Sequence, residues 1–228
     1  MTEDEWLFCT NVHIMLHYLG ATRPDCPWRC SSRKWRLFAC ACCRRLWHML
    51  PDEENRHAVE VVEKFADKQA CKQDLKAAHA AAYATALDPD YNPVLKAMGV
   101  NAPTAALWSA HDAIALVGKY TPERVTRNAY SRSAEDSENR VQCDLLRCII
   151  GNPFRPATVD SSWLEFQANT IPNLARSIYH DRAFAYLPIL ADALEDAGCN
   201  DSNILDHCRQ PGEHFRGCWV VDLLLGKM

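Results

Sequence analysis

The stretch Ser32–Leu50, SRKWRLFACACCRRLWHML, decides the fold class. It holds no glycine or proline and few β-branched residues, and Ser32 can cap a helix running from about Arg33 to Leu50. At about 100° per residue, Trp35, Phe38, Ala39, Cys42, Leu46 and Met49 fall on one face. Arg33 and Arg44 fall opposite, Lys34 and Arg45 on one flank and Arg36 on the other. Leu37, Cys40 and Trp47 sit among these cations, so both faces carry apolar residues. Other elements are expected to cover much of this helix.

The same periodicity extends outward in both directions. Thr2 with Glu5 reads as a capping box for a helix through Trp6, Val12 and Leu19 that stops at Gly20. Glu53–Ala70, the Ala-rich 74–87, a helix capped by Thr104, and Ser133–Ile149 follow, the last ending before Gly151-Asn152-Pro153. Pro172 suits a first helical turn, Phe184–Ala197 is a helix ended by Gly198, Asp201 caps another, and Phe215–Leu225 closes the chain. Only 8 of the 228 residues are glycine. The expectation is an all-α fold, an irregular bundle or array of about 8–10 helices. It divides into 1–118, a polar linker at 119–135, and 136–228, unless the whole packs as a single domain.

The net charge of −4 gives no global pull toward nucleic acid or anionic membrane. No apolar run approaches the ~20 residues of a membrane span. The acidic start, Met1-Thr2-Glu3-Asp4-Glu5, does not read as a secretory signal, so the expected location is the cytoplasm. There the 12 cysteines are expected to be reduced, most of them serving as small core hydrophobes.

Several strings, taken together, resemble a group of uncharacterised proteins encoded in many copies by planctomycete bacteria. They are Glu5-Trp6-Leu7 with Cys9-Thr10, Arg36–Arg45 (RLFACACCRR), Gly151–Pro156 (GNPFRP), Leu187–Glu195 (LPILADALE) and Arg216–Asp222 (RGCWVVD). The resemblance covers the two ends of the chain and omits the Ala-rich middle. It brings no established activity. Many copies in one genome imply modules for recognition or regulation.

Three groups of residues are candidates for chemistry. Cys199, His207, Cys208, His214 and Cys218 offer the thiolate and imidazole ligands that zinc prefers, spread over a helix end, a Pro211-Gly212 turn and the next helix. The competing reading has these thiols packed between helices and the histidines hydrogen-bonded at helix ends. Cys26, Cys30, Cys40 and Cys43 form a second group, a source of a reactive thiol if Arg44 and Arg45 stabilise a thiolate. Third, the cations Arg33, Lys34, Arg36, Arg44 and Arg45 interleave with Trp28, Trp35 and Trp47, as a nucleic-acid-binding face requires. Alternatively they pair internally, with the acids of 183–208 as available partners.

Catalytic signatures are missing: there is no glycine-rich phosphate loop, no H-E-x-x-H and no G-x-S-x-G. His111 and Asp112, adjacent on a helix, are expected to point about 100° apart and form no dyad. The sequence therefore reads as a non-enzymatic module that binds a protein partner. The alternatives are a zinc-stabilised nucleic-acid-binding protein and, third, a thiol-dependent enzyme or redox sensor.

Overall fold

The computed structural model describes residues 1–20, 30–50, 52–86, 89–120 and 132–227. Among them it is all-α, with thirteen α-helices and no strand. The number exceeds the expected 8–10 because expected single helices break and short ones intervene. Two compact units result, Met1–Leu146 and Arg147–Met228.

In the first unit the helices are α1 Glu3–Phe8, α2 Val12–Gly20, α3 Ser32–Arg45, α4 Glu53–Ala66, α5 Lys72–Thr85, α6 Pro93–Ala97 and α7 Ala102–Tyr120, and α8 spans Arg132–Ile150. The Thr2–Glu5 capping box is present, Thr2 N–H donating to Glu5 Oε2 at 2.7 Å and Glu5 N–H to Thr2 Oγ1 at 3.2 Å. The expected continuous first helix breaks between Phe8 and Val12.

Helix α3 is the axis of this unit. Its cap is Ser31 rather than Ser32, with Lys34 N–H donating to Ser31 Oγ at 3.3 Å. Every residue from Lys34 to Cys43 is buried, because α4, α6 and α7 all pack against it. On α7, Ala102, Ala105, Ala106, Ala110 and Ala113 are all buried, and small side chains let helix axes approach closely. The Ala-rich α5 buries only Ala78 and Ala82 and leans on α4.

The second unit holds the end of α8 from Arg147, then α9 Ser161–Glu165, α10 Thr170–Asp181, α11 Leu187–Asp196, α12 Ser202–Arg209 and α13 Trp219–Leu224. Asp160 and Asp201 cap α9 and α12 by accepting from Ser162 N–H and Asn203 N–H, each at 2.9 Å. Ile171, Ile178, Tyr179, Leu187, Leu190, Leu194, Ile204, Val220 and Val221 make one core. The expected helix from Phe184 splits into a 3₁₀ turn, Phe184–Tyr186, and α11, with Pro188 in the first turn of α11.

The unit boundary differs from the expected 119–135. Most of that segment, 121–131, lies outside the described residues, as does Cys26. Residues 132–146 belong with the first unit because α8 is tied there by side chains. Glu138 pairs with Arg45 at 3.1 Å, Asn139 Oδ1 accepts from Val12 N–H at 3.2 Å, and Gln142 donates to the Ala110 carbonyl at 3.3 Å.

Candidate metal centre

Four side chains of the second unit converge: Cys148, His207, His214 and Cys218. Cys148 lies on the last turn of α8, which Gly151 ends with φ +79°. His207 lies on α12. The chain then turns through Gly212, leaves His214 in a loop, and turns again at Gly217 (φ +95°) to place Cys218 at the start of α13. Glycine is needed at Gly151 for space as well as φ, since a Cβ there would meet Trp219 Cγ at 3.1 Å. That indole packs in turn on His207, with ring centroids 5.3 Å apart. Two of the strings quoted above, Gly151–Pro156 and Arg216–Asp222, thus meet beside the centre.

Cys148 Sγ lies 3.3 Å from His214 Nδ1, and His207 Nε2 lies 3.3 Å from Cys218 Sγ. All four ligand atoms fall within 4.8 Å of one another. Zinc bonds of about 2.3 Å to sulfur and 2.0–2.1 Å to nitrogen put tetrahedral ligands about 3.3–3.8 Å apart. The group is therefore near the size a metal ion requires and can hold one. The two imidazoles meet edge to face with centroids 5.0 Å apart, an arrangement compatible with two corners of one tetrahedron.

The electrostatics favour a ligand. Burial pushes the Cys218 thiol up. Hydrogen bonding with Cys148, His207 and His214 and the charge of His207 more than offset it, so the thiol lies well below its usual range. Cys148 is 4% exposed, Cys218 0% and His207 8%, while His214 is half-buried. Gln210, at the end of α12, places its amide 3.1 Å from His207 Nδ1.

Three of the five expected ligands, His207, His214 and Cys218, are in the group. Cys199 and Cys208 are not: both are buried core thiols, and burial pushes both pKa values up. Cys208 follows His207 on α12 and is buried in the hydrophobic core of this unit. Cys148 takes the remaining place. Sequence reasoning missed it because 66 residues separate it from His214. The one local signal was its position three residues before the Gly151-Asn152-Pro153 motif.

The N-terminal thiols sit differently from the expectation. Burial pushes Cys30 and Cys43 up to about 12 and Cys40 well above its usual value. The Arg44 charge expected to favour a thiolate is held instead by Glu63 in a bidentate pair, at 2.9 and 3.1 Å. Burial wins, and these thiols are poor nucleophiles.

The cations of α3 are likewise engaged within the first unit. Arg33 pairs with Asp67 at 2.8 Å, Arg45 with Glu138, and Arg44 also lies over the Trp47 ring at 4.2 Å. Arg36 donates to the carbonyls of Ala97, Gly99 and Val100, and Lys34 is buried. These partners lie on α4, α8 and the end of α6. Within 183–208, Asp192 and Glu195 both accept from Arg209, at 2.7 and 2.6 Å.

One further expectation is corrected. His111 Nδ1 does reach Asp112 Oδ1, at 3.2 Å, because a rotated imidazole spans the angle between neighbouring helical positions. The His13 ring stands 6.1 Å from that of His111.

Comparison with known proteins leaves the geometry to speak alone: no protein-family model, no curated protein and no solved structure matches this chain.

Proposed function

We propose that the chain is a non-enzymatic interaction or regulatory module whose second unit is built around a structural zinc ion held by Cys148, His207, His214 and Cys218. The convergence of the four ligand atoms within 4.8 Å carries this reading. Two sulfurs and two nitrogens are a donor set suited to zinc, and four protein ligands complete a tetrahedron. A complete tetrahedron leaves no position for a substrate or an activated water, which is the mark of a structural rather than catalytic site. Zinc also ties the end of α8 and the 210–217 segment to α12, cross-linking pieces far apart in the chain. The interaction role is supported by apolar side chains left exposed on the first unit, among them Phe8, Ile14 and Trp108.

Elemental analysis of the full chain, purified without chelator, tests the metal. About one zinc per chain is expected, lost in Cys148→Ser and His214→Ala and retained in Cys199→Ser and Cys208→Ser. Folded wild-type protein without zinc overturns the reading. Retention of zinc by Cys148→Ser overturns the ligand set.

A further inference from the structure

Gln210 stands outside the four ligands yet touches one of them. His207 is approached on both ring nitrogens, by Cys218 Sγ at Nε2 (3.3 Å) and by the Gln210 amide at Nδ1 (3.1 Å). A neutral imidazole carries one proton, so one nitrogen donates and the other accepts. The Gln210 amide nitrogen is the atom 3.1 Å from Nδ1, and the amide can donate there or, turned over, accept. With zinc on Nε2, that lone pair is taken and the proton must reside on Nδ1. Whatever stands at Nδ1 must then accept.

We propose that Gln210 is the positioning residue of the centre, which selects Nε2 of His207 as the zinc-binding nitrogen by accepting the Nδ1 proton on its amide oxygen. The inference rests on the zinc reading above. A glutamine suits the role because its amide offers a donor at one end and an acceptor at the other, and rotation by half a turn exchanges them. It therefore satisfies His207 in either tautomer. A zinc ion on Nε2 would leave Nδ1 as the protonated ring nitrogen, with any thiol protons of Cys148 and Cys218 released to solvent. Gln210 is solvent-exposed, so water reaches this side of the ring. Outer-shell partners of this kind orient ligating histidines and raise their basicity.

The test measures zinc affinity of the full chain by chelator competition in three variants. Gln210→Leu removes both functions and is expected to weaken zinc by roughly tenfold. Gln210→Glu, which only accepts, is expected to bind at least as tightly as wild type. Gln210→Lys, which only donates, is expected to bind no better than Gln210→Leu. A purely structural role would lower the stability of the metal-free protein. Because Glu and Lys also differ in charge beside the ion, neutral Gln210→Leu and the position of the His207 proton carry the distinction. In the zinc-loaded chain, nitrogen NMR should place the His207 proton on Nδ1. Wild-type affinity in Gln210→Leu, or a proton on Nε2, overturns the role of Gln210 and leaves the zinc reading intact. A wild-type chain that takes up no zinc overturns the zinc reading, and this role with it.

Discussion

Gly151 and Trp219 show how far the candidate metal centre rests on residues that offer no ligand. Gly151 holds φ +79°, and its missing side chain leaves room for the indole that packs on His207. Gly151→Ala therefore meets two costs, a left-handed backbone and a Cβ 3.1 Å from Trp219 Cγ. We expect a loss of about 1–3 kcal/mol in the urea unfolding of the full chain, with weaker zinc binding. An unchanged midpoint would mean the segment relaxes freely. The sequence makes Gly151-Asn152-Pro153 legible as a helix stop, and α8 does end at Ile150. That an indole in the last helix rests on this glycine is a contact between distant segments, which no local pattern encodes. The same holds for Cys148: its residue type was visible among many cysteines, and its partner was not.

At the scale of the element, α3 was legible in kind and illegible in its electrostatics. Apolar residues on both faces implied a helix covered all round, and Lys34–Cys43 are buried on every side. Whether the charges form a binding face or pair internally stays open in the sequence, because helical periodicity gives angles around an axis and says nothing of which neighbour stands there. In the structure Arg44 meets Glu63, whose side chain is 3% exposed. Removing one member of such a pair strands the other in the interior. Arg44→Met is expected to cost roughly 3–5 kcal/mol, read from urea unfolding, while Arg44→Met with Glu63→Leu should recover much of it. If the single and double variants lose the same stability, the pair does not hold α3 to α4. Capping signals fared better than charges. Thr2 and Asp201 cap as read, where a short side chain and a nearby N–H suffice, while Ser31 replaces Ser32 and Asn101 accepts from the Thr104 N–H.

At the scale of the molecule, the helical class follows from periodicity and from the scarcity of glycine, and it holds throughout the described residues. The two-unit division does not follow, because α8 runs through the boundary with its pattern uninterrupted. Cys148, His207, His214 and Cys218 all lie in Arg147–Met228, so the zinc proposed above organises one unit from within. This accounts for why its histidines and cysteines are so scattered in sequence. A centre that joins α8, α12 and the loop before α13 draws its ligands from wherever those elements begin and end. The central claim is tested most directly by zinc-edge X-ray absorption on the zinc-loaded full chain. The account predicts two sulfurs at about 2.3 Å and two nitrogens at about 2.0–2.1 Å. A shell of three or four sulfurs, which would bring in Cys199 or Cys208, or a shell containing water oxygen, would contradict it.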